Sequence, residues 1–155
     1  MITRRACVIL ISAAGAPVAF GGLGSKNAMY IGGTVTGLKE ETEGKSSTAD
    51  EKTFVFDYKK GKLAIPYDRV DSLEYGQKAG RRLGLAIAVS PLALFSKKRR
   101  HFLTINYLDE AGKAQAAVFE LGKDVIRTQL ASLEARTGRK IEYQDEEARK
   151  SGRGN

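Results

Sequence analysis

The sequence predicts a mainly β domain of the α+β type, an antiparallel barrel or sandwich of about seven strands closed by one C-terminal capping helix. Three observations carry this: two pairs of short alternating segments around glycine turns, a change from period two to helical spacing near Asp124, and a length suited to one core. The chain has 155 residues, of which 42% are hydrophobic and 28% charged, a balance that supplies a core and excludes general disorder.

Residues 1–24 read as a signal peptide. Arg4 and Arg5 form a basic start, and Ala6 to Phe20 an apolar stretch of signal length. Small residues place cleavage between Ala19 and Ser25, while Cys7 lies at the start of the apolar stretch and not at its end, which argues against a lipoprotein. An uncleaved anchor and a buried N-terminal helix are the alternatives. The implied location is exported, in the periplasm or at the outer face of a cytoplasmic membrane.

The domain itself is expected over 25–143. Met29 to Val35 carries β-formers and a glycine bend, a first strand. Lys39 to Glu51 turns polar and acidic, with Glu40, Glu41 and Glu43, and reads as a mobile loop. Thr53 to Tyr58 and Lys62 to Ile65 flank Lys59-Lys60-Gly61 as a hairpin. Pro66 has no backbone donor, so the second strand ends there or lies at an edge. Tyr67 to Val70 makes a turn, and Ser72 to Tyr75 extends again before Gly76.

His101 to Tyr107 and Ala116 to Leu121, joined through Asp109-Glu110-Ala111-Gly112, predict a second hairpin. From Asp124 to Thr137 the residues Ile126, Leu130, Leu133 and Thr137 share a helical face, with Asp124 as cap and Gly138 as stop. Lys140 to Tyr143 predicts a short strand, and the polar segment 144–155 a disordered tail.

Between the hairpins lies the most informative stretch. Residues 83–95 contain no charge, and Lys78, Arg81 and Arg82 precede them while Lys97, Lys98, Arg99 and Arg100 follow. An ordinary surface helix would show charges at helical intervals, and here only Ser90 is polar. The run is shorter than the about 20 residues a spanning helix needs, and Pro91 bends it. Three surroundings satisfy it: burial against the domain, shallow insertion into a bilayer, or a surface shared with another envelope protein or a second copy of the chain. Insertion would place Leu85, Ile87, Val89, Leu92, Leu94 and Phe95 among acyl chains. Arg81, Arg82, Lys97, Lys98, Arg99 and Arg100 would then meet anionic head groups.

The order of elements, and the phrase Leu63-Ala64-Ile65-Pro66-Tyr67-Asp68-Arg69-Val70-Asp71-Ser72-Leu73-Glu74, resemble bacterial PH-like and GRAM-like domains of the pleckstrin-homology superfold. The resemblance spans roughly residues 28–143 and includes the strand and helix from Phe119 to Gly138. It implies a binding or interaction module without catalysis or cofactor. The loop where phosphoinositide-binding relatives carry lysines and arginines holds Glu40, Glu41 and Glu43 here, which argues against stereospecific inositol-phosphate recognition. The apolar run is additional to a minimal barrel of this kind.

Other candidates for chemistry are sparse. The formal net charge of +8 attracts polyanions. The basic cluster lacks interleaved aromatics for base stacking, however, and an exported chain rarely meets a genome, so nucleic acid is not expected as a partner. One cysteine and one histidine exclude an internal disulfide and an all-cysteine metal cage. His101 has no acid or serine at an interpretable spacing. Asp68, Asp71 and Glu74 lack a calcium-loop context, Lys59, Lys60 and Lys62 read as a soluble hairpin tip, and Gly76, Gly80 and Gly84 fit no nucleotide-binding spacing. No catalytic or metal site is therefore expected.

Overall fold

A computed structural model describes Gly24 and residues 27–78, 88–89 and 100–154. Residues 1–23, within the stretch expected as a signal peptide, and most of the apolar run lie outside the described residues. Nine strands occur among the described residues: β1 Ala28–Gly33, β2 Thr42–Ser47, β3 Thr53–Tyr58, β4 Gly61–Pro66, β5 Val70–Gly76, β6 Ala88–Val89, β7 His101–Leu108, β8 Ala114–Leu121 and β9 Ile141–Tyr143. Two α-helices follow the hairpins, α1 Ile126–Thr137 and α2 Glu146–Arg153.

The strands form one mixed sheet in the order β4-β3-β2-β1-β8-β7-β5-β9, with β6 added to β1. Its neighbours are antiparallel except β5 and β9, which run parallel. The path is open, since β4 and β9 end it without pairing to each other. Two meanders, β1 to β4 and β5-β7-β8, are thus joined by the pairing of β1 with β8.

Alternation builds the core. Phe54 and Phe56 of β3, Leu73 and Tyr75 of β5, Leu103 and Ile105 of β7 and Ala117 and Phe119 of β8 all point to one side, where α1 adds Ile126, Leu130 and Leu133. Phe119 is the meeting point, its ring centroid 5.8 Å from Tyr30, 5.4 Å from Phe54 and 5.1 Å from Phe56. Helix α1 is tied to β2 by a reciprocal pair: Ser46 Oγ donates to Gln129 Oε1 at 2.8 Å, and Gln129 Nε2 donates to the Ser46 carbonyl at 2.9 Å. Gly138 ends the helix in the left-handed region, at φ 69°, as its sequence position predicts.

The expected hairpins stand at β3-β4 and β7-β8, and Pro66 closes an edge strand. Three local expectations are corrected. The acidic stretch expected as a mobile loop contains β2, which needs no large side chain because the Phe56 ring occupies the space over Gly44. A Cβ on that glycine would lie 2.8 Å from the ring. The cap of α1 is Val125 and not Asp124, and no side chain bonds there, because the turn from Gly122 to Val125 brings Ile126 into the core.

The third correction is the tail. Residues expected to be disordered within 144–155 form α2, capped by Asp145, whose carboxylate accepts from the Ala148 amide at 2.7 Å. Its inner face is made of small residues, Ala148 and Gly152, both buried. A Cβ on Gly152 would lie 2.8 Å from Tyr143 and 3.0 Å from Leu130, so only glycine lets the helix approach this closely. A hydrophobicity pattern does not register such a face.

Phe119→Ala is expected to cost about 3–5 kcal/mol, the range for emptying a buried phenylalanine site. Phe119→Leu is expected to cost less, and urea unfolding with an unchanged denaturant slope checks both.

Candidate functional site

The side of the sheet opposite the core carries a second apolar cluster. Ile31 of β1, Val118 of β8 and Phe102 of β7 are 1%, 1% and 4% exposed, and Met29 and Val89 pack against them. The three central strands are therefore buried on both faces, which is why Ala116 to Phe119 reads as a continuous apolar run. A bulge in β1 assists, because Tyr30 pairs with Phe119 and Gly32 with Val118, leaving Ile31 as the extra residue turned to the outer side.

Strand β6 reaches this face from the apolar run. β2 pairs with β1 only from Ala28 to Tyr30, and beyond it Val89 and Ala88 pair with Gly32 and Gly33. Of the expected acyl-chain contacts, Val89 is described, as a partly buried residue on the outer cluster. Leu85, Ile87, Leu92, Leu94 and Phe95 lie outside the described residues.

Of the expected head-group contacts, Arg100 is described, while Arg81, Arg82, Lys97, Lys98 and Arg99 lie outside. Arg100 Nη1 stands 2.8 Å from Glu120 Oε2. Glu120 is a carboxylate on the outer side of β8, only 6% exposed, between Met29 and Phe102 in neighbouring strands. The last residue of the basic fence is thereby committed to an ion pair within the domain. Glu120 has a legible signal, the one charge in its strand, but its partner sits twenty residues away and only the fold joins them.

The remaining candidates separate. The imidazole Nδ1 of His101 lies 2.5 Å from Tyr75 Oη, and the two rings stack with an interplanar angle of 13°. Tyr75 Oη is also 3.2 Å from Ser151 Oγ on α2. Burial lowers the proton affinity of His101 below the usual imidazole range and raises the phenols of Tyr75 and Tyr107, while that of Tyr30 is pushed up to about 12. No local sequence signal joins Tyr75 and Ser151, because residues 76 positions apart meet only through the docking of α2.

Asp68 and Asp71 are exposed, and Glu74 accepts from Asn106 Nδ2 at 3.2 Å. Among the described residues no group of three or more histidines, cysteines, aspartates or glutamates could hold a metal ion. Lys59, Lys60 and Lys62 are exposed at the β3-β4 turn. Lys45 and Lys59 border a cavity of about 330 Å³ with Asn27 and Tyr58, but Glu43 and Asp57 share its wall, so the charge there is mixed. Among the described residues no helix is long and apolar enough to cross a membrane.

Compared with known proteins, the chain matches no protein-family model and no curated protein.

The Arg100–Glu120 pair is intermediate between an exposed pair and a fully buried one. Arg100→Gln is expected to lower stability by about 1–2 kcal/mol, between the limits for those two cases. Glu120→Gln in the same chain should recover part of the loss, and a double-mutant cycle in urea measures the coupling.

Proposed function

We propose that this chain is a non-enzymatic, exported module of PH-like fold that associates with an anionic membrane surface through the apolar run 83–95 and its basic fences. The observation that carries the reading is that run, with no charge over its whole length and cations on both sides. Its place supports the reading too. The run connects β5 to β7, and its described part, Ala88–Val89, is held on β1 by strand pairing, so the domain is tethered at the middle of its own membrane-contacting segment.

The PH-like assignment is supported by element order. Seven strands of six to eight residues run as two meanders that meet at β1 and β8, and α1 lies on the core after the last of them. Strands β6 and β9 and helix α2 are additions to that plan. The absence of catalysis is argued from the titratable groups: His101 is engaged with a tyrosine and Arg100 with Glu120. The expected partner is an anionic bilayer and not nucleic acid, at the outer face of a cytoplasmic membrane.

One observation favours a second reading, a soluble envelope scaffold or oligomer subunit with the run buried. Val89 packs with Met29 on Ile31, Phe102 and Val118, contacts that a chain uses to hold a segment on its own sheet.

Flotation of the protein lacking residues 1–24 with lipid vesicles separates the two. The membrane reading expects binding to vesicles rich in anionic lipid, weaker binding to neutral ones, and release by salt, since each basic residue near an anionic surface contributes about 1 kcal/mol. Leu94→Asp with Phe95→Asp should abolish it. No flotation with either vesicle, together with a marked loss of stability in Leu94→Asp through an unpaired buried charge, would establish the second reading instead.

A further inference from the structure

The cavity of about 330 Å³ beside β2 and β3 is bordered by four charged side chains, Glu43 and Lys45 of β2, Asp57 of β3 and Lys59 just after it. Strand register arranges them. Lys45 stands opposite Asp57, and Glu43 and Lys59 follow on either side of the Gly44–Tyr58 pair. Positions two apart on a strand share a face at about 7 Å, and directly opposite positions stand about 5 Å apart. The signs therefore alternate around a rectangle, an acid beside a lysine along each edge and like charges on the diagonals.

The backbone beneath this arrangement is closely packed. A Cβ on Gly44 would lie 2.2 Å from the Asp57 carbonyl, so only glycine lets β2 approach β3 as it does here. Tyr58, on the cavity wall, stacks on Phe56 with ring centroids 5.9 Å apart and an interplanar angle of 23°. Asn27 completes the wall, its N–H donating to the Gly24 carbonyl and its carbonyl accepting from the Gly122 N–H, both at 2.9 Å. Among the described residues none of the four charged side chains forms an ion pair, whereas Arg100, Arg149 and Arg153 each hold a carboxylate.

The alternation selects the kind of ligand. A simple anion drawn to Lys45 and Lys59 would also meet Glu43 and Asp57, and a simple cation drawn to the carboxylates would meet two ammonium groups. A molecule that carries both charges a few ångströms apart satisfies both sets. The Tyr58 ring adds attraction for its cationic end, and the Asn27 amide adds donor and acceptor groups. We propose that this cavity binds a small zwitterion in which a primary ammonium is joined to an oxyanion, the ammonium drawn to Glu43 and Asp57 and the oxyanion to Lys45 and Lys59. The volume lies at the small end of the range for ligand sites, which suits a molecule of head-group size. Such a group is met free in solution or on a lipid, and the site makes no use of the apolar run.

Titration of the isotope-labelled full chain with phosphoethanolamine, followed by amide chemical shifts, tests the site. The expected result is saturable shifts at Gly44, Lys45, Asp57 and Tyr58, with an affinity about tenfold or more above that for inorganic phosphate or ethanolamine, each of which supplies one charge. Glu43→Gln with Asp57→Asn removes both carboxylates at exposed positions, and this variant should bind inorganic phosphate as tightly as phosphoethanolamine. No saturable shift with phosphoethanolamine, equal affinity of the wild type for phosphate alone, or a preference for the zwitterion kept in the double variant would each overturn the proposal. Flotation with phosphatidylcholine vesicles, with and without phosphatidylethanolamine, then identifies the source. Added binding that the double variant loses assigns the site to a lipid head group, and no added binding assigns it to a free zwitterion. The titration contains no membrane, so its outcome is separate from that of flotation with anionic vesicles.

Discussion

The pairing of β1 with β8 is the constraint on which the rest of this structure depends. Each meander is locally connected and could form its own turns, but neither has two covered faces alone. Five residue pairs along the seam, from Ala28 with Leu121 to Gly33 with Ala117, bring them into one sheet, and Phe119 then meets rings that come from β1 and β3. The contact is close. A Cβ on Gly33, at φ 146°, would lie 2.2 Å from the Ala116 carbonyl, so the end of the seam requires glycine both for its conformation and for its approach. Because seam contacts link residues far apart in sequence, they come with loop-closure entropy that local hairpins avoid, and the seam is where this fold is most dependent on its side chains.

The same seam organises the outer side. The bulge at Ile31 lets β1 send Tyr30 inward and Ile31 outward while staying paired, and Val118 and Phe102 join Ile31 from the next two strands. This outer cluster is where Ala88–Val89 attaches and where Arg100 finds Glu120. The apolar run is thus attached to the sheet at Ala88–Val89, and Arg100, beyond its end, is held by Glu120. Under the proposed membrane association, an anchor of that kind would restrict how deeply the run enters a bilayer, and it leaves Arg100 acting within the domain.

Much of this was legible in the sequence. Alternation identified β3, β4, β7 and β8, the switch to helical spacing identified α1, and Gly138 marked its end, because each signal is local and each side chain is large. β2 and α2 were hidden for the opposite reason. Their inner residues are Thr42, Gly44 and Ser46, and Ala148 and Gly152, small groups that fit because neighbours such as Phe56, Tyr143 and Leu130 fill the space above them. A polar composition reads as loop and tail, although in the fold it is the complement of a neighbour's bulk. The site was less legible than the fold: Arg100 and Val89 could be named, but the Glu120 pair and the Tyr75–Ser151 contact depend on strand order and helix docking, which no local pattern encodes.

Native-state hydrogen exchange across increasing denaturant tests the dependence on the seam most directly. If β1 and β8 join the two meanders into one cooperative unit, the amides of β1, β3, β7 and β8 converge on a single opening free energy, equal to that of global unfolding. If the β1–β4 amides open at a lower free energy than those of β5, β7 and β8, the meanders are separate units and the seam is not what holds the domain together.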